Sequence, residues 1–341
     1  MPVRVAVDAM GGDHAPHAIV RGAVEALSDE PDLELVLVGD ETRIHAELAA
    51  APVNGHRSRI RVVHASQVVG MDEAPVEAIK GKKDSSLLRM AELAAAGEAD
   101  AVLSAGNTGA CAAVCQLKLK PLPCVTRPGI AVTIPSFHGP FVLCDVGANI
   151  QAKPRHLYEY AIMATLYAQK VLEIENPRVA VMSIGEESGK GTGLVKQTYE
   201  LLSADRSLNF VGNAEGRDLF ENKCDVAVCD GFVGNIILKF VEGLAEGLFR
   251  TIAHEFNDEP PDLRSKFTAA LDRVWSRHDY SRYGGAPLLG VKGVCIICHG
   301  SSNPNAIKNA IRVAAESVEL GVNARIEQEL VRSTPLVAKM N

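Results

Sequence analysis

Two loops in the first third of the chain combine glycine with acidic, hydroxyl or amide side chains in an order that suits anion binding. Each loop follows a short apolar run and leads into a helical pattern. Glycine lets the backbone approach an anion closely, and the first turn of a helix presents N–H groups that lack partners within the helix. The alternative is a plain tight turn with ordinary helix capping. The candidate phosphate-binding residues in these loops are Asp8, Gly11, Gly12, Ser104, Asn107 and Thr108.

Polar residues in later loops could complete such a site. Asn149 and Asn213 each lie close to glycine after an apolar run, and Asn235 stands near the start of a long helical pattern. Lys190 lies between two glycines after a predicted strand, where it could contact phosphate or a carbonyl oxygen, with a solvated lysine as the alternative. The first loop lacks the GxGxxG pattern of dinucleotide-binding proteins, and the Lys190 loop lacks the GxxxxGK[ST] spacing of nucleoside triphosphatases.

The eight cysteines lie mostly inside apolar runs, which is typical of buried, reduced thiols in a cytosolic protein. Cys295 and Cys298 have the C-x-x-C spacing of a redox or zinc pair. Their segment is predicted to be a strand rather than the start of a helix, and no second C-x-x-C matches it. We therefore expect no metal ion and no cofactor.

The composition indicates a globular cytoplasmic enzyme. The chain has 341 residues, 47% hydrophobic and 23% charged, which allows a sizeable core in one large domain or two ordinary ones. The net charge of −7 argues against nucleic-acid binding, which usually needs a basic surface. We find no signal peptide and no run of roughly eighteen apolar residues that could span a membrane, although the protein could still touch a membrane surface.

Short apolar runs alternate with helical patterns, which predicts parallel βαβ units in an α/β fold. Because ligands bind at the carboxyl ends of strands in open α/β sheets, we expect the glycine loops to line one anion-binding cleft. The predicted strands are residues 4–8, 33–38, 60–64, 101–104, 129–134, 141–145, 178–183, 209–211, 226–229 and 293–298. The predicted helices are residues 16–27, 85–96, 108–117, 155–172, 193–202, 232–256, 263–275 and 303–320.

Five motifs together resemble the phosphate acyltransferase family of phospholipid synthesis, also called acyl-ACP–phosphate transacylases. The motifs are residues 8–13, 104–109, 230–235, 283–290 and 299–302. The resemblance runs from Val3 to about Leu320. It implies a single domain over residues 1–341, with a Rossmann-like αβα sandwich related to phosphotransacetylase and isocitrate-dehydrogenase-like folds. It also implies a protruding helical pair at about residues 232–278.

The resemblance implies transfer of a fatty acyl group from acyl carrier protein to inorganic phosphate, by a homodimer at the cytosolic face of the cell membrane. Lys190 and Asn235 match positions that the family is thought to use in catalysis, and their separate roles stay open. The acyl phosphate would then reach a membrane glycerol-3-phosphate acyltransferase. The alternatives are a short-chain phosphotransacylase that uses coenzyme A, a dehydrogenase of the same fold, and a non-catalytic docking protein for acyl carrier or lipid surfaces.

Two surfaces are predicted to make the contacts that such a reaction implies. Apolar stripes run along the predicted helices 232–256 and 263–275. They suit a dimer interface or, near Phe267 and Leu271, weak peripheral contact with lipid. The basic candidates for an acidic carrier protein are Lys80, Lys82, Lys83, Lys118, Lys120 and Arg127. The acidic residues that would weaken contact with anionic lipid are Asp258, Glu259 and Asp262.

Overall fold

The computed structural model describes residues 2–51, 53, 55–256, 259–278 and 280–338. A mixed sheet of eleven strands lies at the centre of these residues. The strands are β1 (Val3–Asp8), β2 (Leu33–Gly39), β3 (Ile60–His64), β4 (Ala101–Ser104), β5 (Gly129–Ile134), β6 (Phe141–Cys144), β7 (Arg178–Met182), β8 (Asn209–Ala214), β9 (Val226–Val228), β10 (Ala286–Leu289) and β11 (Val294–Ile297). The α-helices are α1 (His17–Asp29), α2 (Glu41–Ala50), α3 (Pro75–Gly81), α4 (Ser86–Ala95), α5 (Thr108–Leu119), α6 (Pro154–Val171), α7 (Gly193–Ala204), α8 (Gly231–Glu255), α9 (Pro261–His278), α10 (Pro304–Glu319) and α11 (Val322–Ala338).

Two parallel blocks of strands meet at an antiparallel centre. The order across the sheet is β3-β2-β1-β4-β11-β10-β5-β6-β9-β7-β8. The first five strands of this order are parallel, as are the last four. The central β10 is antiparallel to both β11 and β5, and β5 is antiparallel to β6. The predicted parallel units are therefore present as two blocks that point in opposite directions, and their strand-end loops lie at both edges of the sheet.

Helices cover both faces of the sheet, which confirms the predicted αβα sandwich. Side chains alternate along a strand, so Val5 and Val7 of β1 pack with α1 and α10 on one face. Ala6 points to the other face, where α4, α5 and α8 lie. The helices α6 and α11 share the face of α1 and α10 farther along the sheet. The apolar core therefore continues along both sides of the sheet and holds the strand-end loops at fixed positions.

Helices α8 and α9 occupy the range predicted for a helical pair. Phe256, just after α8, stacks on Phe267 of α9 with ring centroids 3.3 Å apart and planes 9° from parallel. Glu259 is exposed between the helices and Asp262 is exposed in the first turn of α9, whereas Asp258 lies outside the described residues. None of the described helices is long and apolar enough to cross a membrane.

The sequence prediction missed β10, α2, α3 and α11. β10 lies inside the family motif 283–290. Its four residues are too few to show a clear alternation, and glycines flank them closely. Leu288 and Leu289 are nevertheless buried at the centre of the sheet, where β10 pairs with both β5 and β11. This short strand and β5 therefore join the two parallel blocks.

Candidate functional site

Asp8 and Ser104, at the carboxyl ends of β1 and β4, form a buried hydrogen-bonded pair. The Ser104 hydroxyl donates to Asp8 Oδ2 at 2.8 Å and accepts from the N–H of Gly106 at 3.0 Å. Asp8 Oδ1 also accepts from the N–H of Met10 at 3.2 Å. Burial raises the pKa of Asp8, and its hydrogen bonds oppose that shift. Both side chains therefore fix their own loops, and their contact with phosphate stays a prediction.

Gly11 and Gly12 let the β1 loop pack against two other strand-end loops. A Cβ on Gly11 would lie 2.6 Å from Asp8 Oδ2 and 2.7 Å from the backbone nitrogen of Gly106. Gly12 has a φ of +105°, and a Cβ there would lie 3.0 Å from the carbonyl oxygen of Gly300. Close packing and backbone conformation thus require glycine at both positions. The tight-turn alternative needs the same two glycines, and their contact with phosphate stays a prediction.

The start of α5 offers a more accessible group. Asn107 caps the helix, because its Oδ1 accepts from the N–H of Ala110 at 2.9 Å. Its Nδ2 donates to the carbonyl oxygens of Gly70, Met71 and Glu73 at 2.9–3.3 Å, so the side chain is engaged within the protein. Thr108 follows it and is exposed, and N–H groups of the first helical turn lack intrahelical acceptors. Thr108 and these N–H groups are therefore the part of this loop that can reach a phosphate.

Asp145 organises the turn that follows β6. Its Oδ1 accepts from the N–H groups of Ile130, Gly147 and Ala148 at 3.0–3.1 Å, and its Oδ2 accepts from that of Asn149 at 2.7 Å. Burial raises the pKa of the Asp145 carboxyl, and the four N–H donors offset only part of that shift. The carboxyl group thus holds the turn in one conformation, at the opposite edge of the sheet from Asp8.

The Asp-Gly-Phe-Val-Gly-Asn motif packs the first turn of α8 onto the turn at Asp145. Asp230 caps α8, because its Oδ1 accepts from two N–H groups of that first turn at 3.0 Å. A Cβ on Gly234 would lie 1.9 Å from the carbonyl oxygen of Asp145, so only glycine fits there. The contact places Asn235 beside Gly147, with Asn235 Oδ1 3.8 Å from the position that a Cβ on Gly147 would take.

A cavity of about 650 Å³, including the space at its mouth, crosses the face of the sheet over the antiparallel centre. The enclosed interior of this cavity is about 110 Å³, smaller than the roughly 300–1,000 Å³ of typical small-molecule sites. The floor consists mainly of Ile130, Val132, Val146, Leu238, Ala286 and Ile297. The polar residues of its wall include Thr108, Asn235, Lys239, Glu242 and His299. Groups that follow strands of opposite direction therefore meet on the face of the sheet rather than at one edge.

The structure ties Asn149 and Asn213 to neighbouring segments. Asn149 Nδ2 donates to the carbonyl oxygen of Pro128 at 2.6 Å and to the hydroxyl of Tyr160 at 2.8 Å. Asn213 Nδ2 donates to the carbonyl oxygen of Glu187 at 2.7 Å, and its Oδ1 is buried without a hydrogen-bond partner in the described part of the chain. Asn213 thus connects β8 to the loop that carries the predicted catalytic lysine.

Lys190 lies in that loop, between β7 and α7, and is not among the residues that line the cavity. Its side chain is exposed and makes no hydrogen bond or ion pair with the described residues. Because β7 and β9 are parallel neighbours, Lys190 and Asn235 follow adjacent strands at the same edge of the sheet. The two predicted catalytic residues therefore share an edge, without a direct contact between their described atoms.

The predicted site residues did not include three polar side chains that line the cavity. Lys239 and Glu242 form an ion pair of 2.8 Å on the face of α8 that carries Asn235. Their helical spacing from Asn235 is the sequence signal that could have identified them. His299 Nδ1 accepts from the N–H of Ser301 at 3.3 Å, so a neutral imidazole carries its hydrogen on Nε2.

Comparison with known proteins gives consistent matches along nearly the whole chain. Residues 3–325 match the family model described as fatty acid synthesis protein. The phosphate acyltransferase of Halothermothrix orenii is 45% identical over 334 residues, covering 96% of this chain and 98% of that protein. The phosphate acyltransferase of Heliobacterium modesticaldum is 48% identical over 330 residues, again covering 96% and 98%.

Solved structures show the same fold at low sequence identity. A phosphotransacetylase from Streptococcus pyogenes aligns with a TM-score of 0.64 at 16% identity, covering 93% of this chain and 94% of that chain. A branched-chain phosphotransacylase from Enterococcus faecalis aligns with a TM-score of 0.57 at 16% identity, covering 93% and 99%. These similarities confirm the predicted relation to phosphotransacetylase folds.

Proposed function

The chain belongs to the fatty acid synthesis protein family, with phosphate acyltransferases as its relatives, and on this premise we propose that it transfers a fatty acyl group from acyl carrier protein to inorganic phosphate. The resulting acyl phosphate would serve a membrane glycerol-3-phosphate acyltransferase in phosphatidic acid synthesis. The observation that carries the proposal is the cavity between α5 and α8, which combines an apolar floor with a polar wall.

This division of the cavity suits the two substrates. Burial of a hydrocarbon chain contributes about 0.8 kcal/mol for each CH₂ group, so the floor over β5 and β10 favours a fatty acyl group. The N-terminus of α5 carries a partial positive charge and free N–H groups, which favour an inorganic phosphate beside it. The exposed hydroxyl of Thr108 adds a donor at the same point.

The reaction requires placement of the substrates more than proton transfer. A phosphate oxygen attacks the thioester carbonyl carbon and forms a C–O bond, while the carbonyl oxygen becomes an oxyanion. When the oxyanion collapses, the C–S bond breaks and its electron pair leaves with the carrier thiolate. Phosphate is nucleophilic at neutral pH and the thiolate is a stable leaving group, so stabilising the oxyanion is the main task of the protein.

We assign the donors for this task to Asn235 and Lys190. The Asn235 amide lines the cavity and makes no hydrogen bond with the described residues. Lys190 supplies a positive charge from a glycine-flanked loop at the same edge of the sheet. Either side chain could polarise the thioester carbonyl while the other binds phosphate, because both groups donate hydrogen bonds to oxygen.

Exposed basic residues support docking of an acidic carrier protein, but two of the six predicted residues already form ion pairs. Lys82 forms an ion pair with Glu73, and Lys118 forms one with Glu92 at 2.8 Å. These two lysines are therefore already neutralised. The remaining basic candidates, which are exposed and form no ion pair in the described part of the chain, are Lys80, Lys83, Lys120 and Arg127.

An apolar stripe along α8 supports a homodimer. Five large side chains recur every four residues on this helix and are more than half exposed, which marks a surface that another molecule covers. They are Phe232, Ile236, Phe240, Leu244 and Leu248. We propose a second copy of the chain as the covering molecule.

The same helical pair bears on the membrane hypothesis. Phe267 and Leu271 line a groove between α8 and α9, where Phe267 stacks on Phe256, so neither forms the exposed tip that lipid contact requires. Weak peripheral contact with the membrane would then use exposed residues such as Leu263. Its experimental signature is partial co-sedimentation with anionic vesicles that Leu263→Asp reduces.

The proposal is tested with purified protein, inorganic phosphate, and either acyl carrier protein or coenzyme A carrying the same long acyl chain. Hydroxylamine traps the acyl phosphate as a hydroxamate, and a thiol reagent measures the released carrier thiol. We expect both products in equal amounts, only with phosphate present, and at a higher kcat/KM for acyl carrier protein. A higher kcat/KM for a short-chain acyl-CoA would instead identify a short-chain phosphotransacylase, and thiol release without hydroxamate would identify a thioesterase.

A further inference from the structure

Three cysteines from two elements bring their sulfur atoms together inside the core. Cys111 and Cys115 lie one turn apart on the same face of α5, and Cys295 of β11 points to that face. The three Sγ atoms all lie within 4.8 Å of one another, and those of Cys115 and Cys295 are 3.4 Å apart. The exposed fractions of these residues are 0%, 0% and 1%. The cluster is separate from the cavity residues and has no role in the acyl transfer described above.

The spacing of the sulfur atoms matches coordination of a single ion. A metal–sulfur bond is about 2.3 Å long, so three sulfur atoms around one ion in a plane lie about 4 Å apart. The separation of 3.4 Å and the upper limit of 4.8 Å both lie within 1 Å of that value, so small rotations of the three side chains would equalise the distances. The α5 and β11 backbones therefore need not move for the thiols to close around an ion.

The number and type of ligands select the ion. Within the described residues, no histidine, carboxylate or fourth thiol joins the group, whereas structural zinc sites have four ligands. Full burial also leaves no water to complete a tetrahedron. Soft thiol ligands favour Cu(I), and three-coordinate sulfur suits a soft monovalent ion. We propose that Cys111, Cys115 and Cys295 bind one soft cation of the Cu(I) type.

A buried ion is usually unfavourable because it adds an uncompensated charge to the core, and release of one proton avoids that charge. Cu(I) forms a bond to the sulfur of one thiol as that thiol releases its proton to solvent, and the other two thiols coordinate through their lone pairs. One positive charge replaces one proton, so the net charge of the apolar core does not change. The bound ion would then cross-link α5, which begins at the cavity residue Thr108, to β11, which ends two residues before the cavity residue His299.

The test is a Cu(I) titration of the whole reduced protein without oxygen, against a chromophoric Cu(I) chelator of known affinity. We expect one equivalent of Cu(I) to bind, with three sulfur neighbours in X-ray absorption spectra. Cys115→Ala should weaken binding at least about 100-fold, since loss of a ligand exceeds the 10–100-fold effect of outer contacts. The matched control is Cys298→Ala, because Cys298 is also buried in the β11 region but packs on the other face of the sheet. Thermal unfolding of each metal-free variant confirms that it is folded.

Several results would overturn the proposal. Equal Cu(I) affinity in Cys115→Ala and the unaltered protein would show that the cluster does not bind the ion. Loss of binding in Cys298→Ala would assign the ion to the C-x-x-C pair instead. Tighter binding of Zn(II), measured with a zinc chelator, and a four-coordinate spectrum would rule out the three-coordinate soft site. If Cys115→Ala is unfolded, the conservative Cys111→Ser variant decides, with the same expected loss of affinity.

Discussion

Gly234 of α8 lies directly over the carbonyl oxygen of Asp145, at a distance that leaves only 1.9 Å for a Cβ. The same aspartate accepts four backbone hydrogen bonds through its carboxyl group, so the turn after β6 and the start of α8 form one rigid unit. Asn235 follows Gly234 and projects from that unit into the cavity. The position of the proposed catalytic amide therefore depends on a buried contact between glycine and backbone.

Gly234→Ala should separate α8 from the turn at Asp145. We expect overpacking to lower the free energy of unfolding by about 2 kcal/mol and to reduce acyl transfer, because Asn235 would move with the helix. Gly243→Ala is the matched control on the same helix, since a Cβ there meets nothing within 4 Å and alanine favours helix by up to about 1 kcal/mol. Denaturant unfolding at equal protein concentrations measures both. Equal stability of the two variants would show that the contact is not tight.

Lys190→Ala should lower kcat/KM about 100-fold with the fold intact, because loss of one oxyanion or phosphate donor costs about 3 kcal/mol. Lys196→Ala is the control, an exposed lysine on α7 just beyond the loop. The rate of hydroxamate formation measures both variants. An unchanged rate in folded Lys190→Ala would remove this lysine from the mechanism, whereas an increase in KM for phosphate alone would assign it to phosphate binding.

Asn235→Ala completes the comparison of the two donors. We expect a similar loss of about 100-fold, carried by kcat if the amide stabilises the oxyanion and by KM for phosphate if it binds that substrate. The double variant with Lys190→Ala should then lose less than the product of the single losses if both groups act on one oxygen. Losses that multiply would place the two side chains on different groups of the substrates.

Local features of the sequence predicted much of this site. The apolar run of β4 and the capping residue Asn107 predicted a strand at Ala101–Ser104 and a helix from Thr108, both confirmed. Distant contacts were beyond such reasoning. The loop at residues 70–73 occupies Asn107 Nδ2, and that loop has no periodic pattern pointing to it. The opposite direction of the two parallel blocks likewise depends on β10, which is too short for its pattern to be recognised.

The hydrogen bonds of single side chains were harder to predict from the sequence than their places in the chain. Asp8 and Ser104 have polar groups that suit phosphate, but a 2.8 Å hydrogen bond between them uses those groups inside the protein. Lys239 does not lie in a glycine-rich loop and was not among the predicted site residues. Its four-residue spacing from Asn235 nevertheless places both residues on one face of α8. The residue types of the motifs thus identified the loops. Burial and internal hydrogen bonds determine which of their side chains are free to contact a ligand.

His156 should make stability depend on pH. Burial, together with nearby positive charges, lowers the pKa of this histidine, whose Nδ1 accepts from the N–H of Lys153 at the start of α6. The unfolded chain binds the proton at about pH 6.5, and the folded state resists it. The stabilising contribution is therefore present above that pH and is lost on acidification. His156→Gln keeps an acceptor without titrating, so its unfolding midpoint should fall less between pH 7.5 and pH 5.5. Parallel curves for the two proteins would exclude His156 as the cause.

Phe240→Glu should convert the proposed dimer to a monomer, because it places a charge in the middle of the exposed α8 stripe. Phe137→Glu is the control, since Phe137 is 89% exposed on a turn away from that helix and Phe240 is 66% exposed. Sedimentation velocity of the three proteins at equal concentration gives the result. If Phe240→Glu remains a dimer and Phe137→Glu becomes a monomer, the dimer interface lies at the turn of Phe137 and not on α8.

The most direct measurement of the central claim is NMR of the product formed from a carrier thioester with ¹³C at its carbonyl carbon. With protein and inorganic phosphate, we predict a carbonyl signal split by coupling to ³¹P, together with one free thiol for each phosphate consumed. Such coupling requires a covalent C–O–P linkage. A free ¹³C carboxylate as the first product, or an unchanged thioester with folded protein, would contradict acyl transfer to phosphate.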